Sequence, residues 1–170
     1  AEKRKDMSIK TVSSRMYGIL SLLDLQTGFF PKALDGISDK DAHRRLDTVA
    51  NHVAWLAGSL VQQRFYIAGL LGVNNKAAAD ELFKDNQGIK DNQEYPSLGI
   101  FKKDWDLISP LLKEALSNAT DEQLDQVITF PGMSMPFWDL LVFSAYREAN
   151  CIGQIALWRR LLGYPPLNYM

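Results

Sequence analysis

Residues 134–163, SMPFWDLLVFSAYREANCIGQIALWRRLLG, carry the longest uninterrupted helical signal in the chain. Ser134 or Met135 opens it with Pro136 in the first turn, where a missing N–H costs nothing because that group has no intrahelical acceptor. Gly163 stops it, with Pro165 and Pro166 beyond. Leu140, Leu141, Phe143, Leu157, Trp158, Leu161 and Leu162 cannot share one stripe of such a helix. It must be covered on two sides, by its own domain and by either a crossover segment or a second subunit, and a homodimer is the expected partner arrangement.

Working outward, the same reading gives three more long helices. Val12, Met16, Ile19, Leu20 and Leu23 recur at helical spacing, predicting a first helix from about Ile9 to Phe29 that Pro31 breaks or bends. Ser38 with Asp39 and Asp41 has the form of an N-cap with acids in the first turn, predicting a second helix from there to Leu71, stopped at Gly72. Residues 73–96 change character, with Asn74, Asn75, Gly88 and Pro96 marking a long crossover around a short helical piece at Ala77 to Phe83. Ser97 is expected to cap a third helix reaching Leu116, in which Pro110 predicts a kink or an early start of the second half. Thr120-Asp121-Glu122-Gln123 reads as a capped turn, and Val127 to Phe130 before Pro131-Gly132 as a brief extended excursion with room for one strand pair. The expected fold class is all-α, a four-helix bundle with the long crossover between the second and third helices. It forms a single domain over residues 1–170, of which 1–8 read as a flexible tail.

A chain of 170 residues suits one domain and buries roughly 70% of its unfolded surface without needing disulfides. Nineteen Lys and Arg against 20 Asp and Glu leave a net charge of -1, which supplies no field for steering nucleic acid. No stretch approaches the roughly 18 apolar residues of a membrane span, so neither nucleic acid nor membrane is an expected partner. Cytoplasm is the default expectation for location, and a chain opening on Ala1 leaves a removed secretion signal open. The single cysteine, Cys151, has no intrachain partner for a disulfide. No serine elbow, phosphate loop, dinucleotide fingerprint or paired-cysteine zinc knuckle is present.

The most specific residues lie in the second and fourth helices. Asn51-His52-Val53-Ala54-Trp55 in the second, and Glu148-Ala149-Asn150-Cys151-Ile152-Gly153-Gln154-Ile155 followed by Arg159-Arg160-Leu161-Leu162-Gly163 in the fourth, resemble the two signature stretches of the DinB-like proteins. That resemblance implies a four-helix bundle, often homodimeric, with a divalent metal such as zinc or nickel held by one histidine of the second helix and two of the fourth. The second-helix histidine matches His52; the fourth-helix pair falls on Arg147 and Cys151. A cation cannot ligate, and a zinc site needs three protein ligands. With two of the three histidines replaced, metal loss is the expectation, and His52 is the one metal candidate carried over.

Each residue also has a plain reading. His52 beside Trp55 fits an interior hydrogen-bonded histidine, and His43 with Arg44 and Arg45 a solvated helix face. Cys151 fits a small core residue whose reactivity would need a lowered pKa, for which Arg147 one turn earlier is a source. Glu148 is expected to pair with a cation or solvent rather than a metal. Arg147 is expected to be buried and to need an acidic partner. The candidate ligand pocket is therefore His52, Trp55, Arg147, Cys151 and Gln154, taking an anion or carboxylate-bearing small molecule, with no cofactor. Three functions remain: a metal-free ligand-binding or interaction module, a divalent-metal-dependent transferase or hydrolase acting on a thiol or small electrophile, and a structural homodimer with no site. Whether the chain is an enzyme stays open at the level of sequence.

Overall fold

Residues 9–170 are described by a computed structural model; the tail expected at 1–8 lies outside the described residues. The chain forms α1 (Met16–Leu34), α2 (Asp39–Ala42), α3 (Val53–Leu70), α4 (Asp80–Phe83), α5 (Leu98–Ser117), α6 (Asp121–Asp125), the strands β1 (Val127–Phe130) and β2 (Met133–Pro136), and α7 (Phe137–Leu161). It is mostly helical, as the periodicity predicts. The strands form one antiparallel hairpin with Phe130 opposite Met133, turned by Gly132 at φ +78°. α1 and α3 each pack against both α5 and α7, and Phe30, Leu56, Leu60, Trp105, Ile108 and Ile155 fill the space between.

One polar node sits inside that apolar core. Arg64 of α3 donates from Nε to Glu148 Oε1 at 2.6 Å and from Nη2 to Glu148 Oε2 at 2.9 Å. Its Nη1 donates to Thr27 Oγ1 at 2.7 Å and Ser109 Oγ at 2.8 Å, and Nη2 also reaches the Leu23 carbonyl. The guanidinium lies 3.6 Å from the Trp105 ring centroid. Arg64 and Glu148 are each 1% exposed, so the pair is sustained by saturating its donors rather than by solvent. Every long helix contributes to it, which fixes the register of all four.

Four expectations differ from the structure, each for a reason its hydrogen bonds show; the first is that Ser134 to Pro136 pair in β2, so α7 opens at Phe137 with Pro136 as its N-cap rather than in its first turn. α1 begins later than Ile9 and runs through Pro31 to Leu34. Pro31 leaves the Thr27 carbonyl without its i+4 donor, and Trp105 Nε1 supplies one at 3.2 Å from α5, so the helix need not break. The predicted second helix is two pieces: α2 is capped by Ser38 Oγ on Asp41 N–H, and residues 43–52 are irregular before α3 starts. Leu46 and Asp47 there take left-handed φ values of 47° and 59°, and polar side chains serve the freed carbonyls. Arg45 donates to Val49 and Ala50, and Trp158 Nε1 to Asn51. Ser97 makes no side-chain cap for α5; Asp39 Oδ1 accepts from Leu98 N–H instead, and α5 is one helix through Pro110.

Other signals match. Thr120 and Gln123 form a capping box on α6. α7 ends with Gly163 at φ +86°, Gly163 N–H on the Arg160 carbonyl and Tyr164 N–H on that of Arg159, the paired bonds of a Schellman stop. Gly58 is needed for packing: a Cβ there would sit 2.3 Å from the Phe83 ring and 2.8 Å from that of Phe101, so one aromatic of the crossover and one of α5 press directly on the α3 backbone.

Candidate functional site

His52 is the residue around which a site can be built. It is the N-cap of α3, and its Nδ1 accepts a hydrogen bond from Trp55 N–H at 3.0 Å. A ring nitrogen that accepts carries a lone pair, so the proton of the neutral ring is on Nε2. Burial, with smaller contributions from neighbouring His43 and Arg45, pushes the His52 pKa down to about 4, so the ring is neutral at pH 7. The ring is 6% exposed, and Nε2 has no hydrogen-bond partner among the described residues.

That ring floors a cleft of about 230 Å³ between the 43–52 loop and the crossover. His43 and Arg45 line it with His52 on one side; Lys90, Asp91 and Gln93 face them. Arg45 is held in place by the Asp91 carboxylate and by the carbonyls of Val49 and Ala50. His43 places Nδ1 2.6 Å from the Asp39 carbonyl and Nε2 2.9 Å from that of Tyr95, tying α2 to the crossover. Its ring centroid is 5.3 Å from that of His52, and the Tyr95 ring meets His52 edge-on, also at 5.3 Å. His43 is thus no solvated helix face, as the sequence suggested, but a half-buried strut at the cleft wall.

The other residues of the expected pocket are not in this cleft. Arg147 is half-buried and donates to Ser59 Oγ at 2.5 Å and Gln63 Oε1 at 3.1 Å, two neutral partners rather than the acid expected for it. Ser59 lies seven residues beyond His52, about 10 Å along the helix axis. The acid beside Arg147, Glu148, points inward to Arg64. Cys151 is buried, and its thiol pKa is raised by burial and by Glu148, with Arg147 offsetting only part. The lowered pKa considered for it is therefore absent, and the thiol is protonated at neutral pH. Gln154 is exposed and bonds Asn150 Oδ1. Trp55 leans toward Phe83, ring centroids 6.1 Å apart, and its buried indole N–H has no acceptor among the described residues.

These residues do not fit a metal. Arg147 and Cys151, at the positions where the resemblance puts histidines, stand away from His52, and among the described residues no three His, Cys, Asp or Glu groups converge. His52 could ligate through Nε2 only by moving its proton to Nδ1, against the Trp55 N–H that it caps. The residues the sequence missed are His43 and the 89–93 segment. Their one sequence signal is that His43 and His52 are the chain's only histidines, nine residues apart. No described helix is long and apolar enough to cross a membrane.

No protein-family model and no curated protein sequence matches the chain. A crystal structure of a conserved protein from Enterococcus faecalis is similar in structure, with a TM-score of 0.66 at 16% identity, covering 86% of this chain and 96% of that one. At that identity, the likeness is one of fold.

Proposed function

We propose that the chain is a DinB-like protein whose long helices form the four-helix bundle of that family, and that it works as a metal-free binding module for a small molecule. The ligand would sit in the cleft over His52, displaced from the Arg147 stripe. One observation carries this reading: His52 is buried, its Nδ1 is committed to capping α3, and its remaining Nε2–H borders an open cleft. A protonated nitrogen donates to a ligand and does not ligate a cation. Two measurements test it. Elemental analysis of untagged protein, purified without chelator, should find no stoichiometric zinc or nickel. One metal per chain, lost in His52→Ala, would restore the divalent-metal-dependent transferase or hydrolase. In a fragment screen followed by NMR, hits should move the ring resonances of His43 and His52 before those around Arg147; hits confined to Arg147 would relocate the site.

We propose further that the chain is a homodimer through the outer face of α1 and α7. Val142, Tyr146, Leu157 and Leu161 are exposed and follow one another at helical spacing, with Ala149 and Gly153 between them small enough for close helix approach. Leu25 of α1, which packs against α7, is exposed as well. Sedimentation should give a dimer for the wild type and a monomer for Tyr146→Glu; a wild type that is monomeric at micromolar concentration refutes the proposal.

A further inference from the structure

We infer that the cleft takes a small oxyanion, a phosphate or carboxylate group, held by the His52 Nε2–H, the Lys90 ammonium and the amino end of α3. This rests on the reading of the cleft as a ligand site and adds the chemistry of what it recognises. The buried polar group left free there is a donor; the acceptors without a partner, Gln93 Oε1 and Asp91 Oδ2, belong to exposed side chains. His52 is neutral and offers only Nε2–H. His43 turns neither ring nitrogen to the cleft, because one lies against the Asp39 carbonyl and the other against that of Tyr95. Arg45 spends its donors on Asp91, Val49 and Ala50, so its charge is matched and the Arg45–Asp91 pair serves as wall.

Lys90 decides the sign. Lys90 lines the cleft, and its ammonium contacts the neutral Gln87 Oε1 at 2.8 Å and forms no ion pair among the described residues, so a small swing of this exposed side chain brings an unmatched positive charge to a bound anion. α3 adds to it. The helix is 18 residues long, and its first amides, Val53 and Ala54, have no intrahelical acceptor, so its partial positive end lies beneath the cleft that its N-cap floors. The second observation is a side-chain group distinct from those amides: the His52 Nε2, on a residue more than nine-tenths buried, borders the cleft and has no hydrogen-bond partner among the described residues. A cation placed here would meet Lys90 and Arg45; an uncharged acceptor would use the hydrogen bond and gain nothing from the charge.

The test is a titration at pH 7 with inorganic phosphate and, separately, with sodium acetate, following the histidine ring nitrogens and the amides of residues 89–93 by NMR, with potassium chloride at matched ionic strength as reference. Saturable shifts of His52 Nε2 with either anion, absent with chloride, are expected. Saturation by phosphate alone identifies a phosphate ligand, and saturation by acetate as well identifies a general carboxylate-type site. Lys90→Gln should weaken binding about tenfold, the equivalent of one charge-assisted hydrogen bond. His52→Asn keeps an N-cap oxygen for α3 but removes the ring N–H, and should weaken binding by a similar factor while the fold stands. Shifts that match those of chloride, or affinities unchanged in both variants, overturn the inference. If uncharged fragments then still move the same resonances, only the anion is lost and the ligand cleft stands; if they do not, both readings fall.

Discussion

Glu148→Ala will lower the unfolding free energy by about 3–5 kcal/mol, the usual cost of leaving one partner of a buried ion pair uncompensated. Urea denaturation at neutral pH is the measurement. The carboxylate receives two of the Arg64 donors, at 2.6 and 2.9 Å, and no solvent reaches either side chain to replace it. Thr27 and Ser109 would still accept from Arg64, but neutral hydroxyls offset a buried charge only weakly. Arg64→Met should cost a similar amount, while Arg64→Met combined with Glu148→Leu should recover most of the loss, because two apolar side chains of similar volume leave no stranded charge. Arg147→Met is the control: it is half-buried on neutral partners and should cost no more than about 1 kcal/mol. A loss below about 1 kcal/mol for Glu148→Ala would mean that Arg64 reaches water by a rearrangement the packing around Trp105 argues against.

Local signals in the sequence carried the helix plan well wherever the decision was local. The Thr120 capping box, the Pro131-Gly132 hairpin and the Gly163 stop each depend on residues within a few positions of one another, and each is in place. Distant partners decided the rest. Pro31 reads as a breaker until Trp105, 74 residues later, supplies the missing donor. Leu46 and Val49 keep up a helical pattern through 43–52, yet Val49 is 92% exposed, and Arg45 and Trp158 hold that segment as a loop. The site follows the same division. His52 stood out from its neighbours, but its pairing with His43 and the 89–93 segment exists only because residues 43–52 are not helical. Arg147 drew attention at a position where the resemblance puts a histidine, as a cation expected to need an acidic partner; the neighbouring acid, Glu148, pairs with Arg64, 84 positions away.

Acidification from pH 7 to 4.5 will remove roughly 2–3 kcal/mol of stability through His52 alone. The unfolded ring takes its proton below the ordinary value of 6.5, whereas the folded ring, buried and facing His43 and Arg45, takes it only near 4. Between those values the unfolded state binds the extra proton, so falling pH favours unfolding. The His52 contribution is complete above pH 6.5, declines through the window and is flat below about 4. Protonation also strips Nδ1 of the lone pair that caps α3, so the amino end of that helix is where the strain is felt first. Asp41 and Asp80, whose carboxyls are held low by Tyr164 and Gln62 respectively, add acid losses of their own. The informative quantity is therefore the difference between wild type and His52→Asn, which keeps a cap and has nothing to titrate there. Denaturation midpoints of the two should converge as pH falls from 7 to 4.5, the wild type losing more. Parallel profiles would show that the folded ring protonates as readily as the unfolded one, and His52 could then be neither the buried cap nor the fixed N–H donor that the cleft requires.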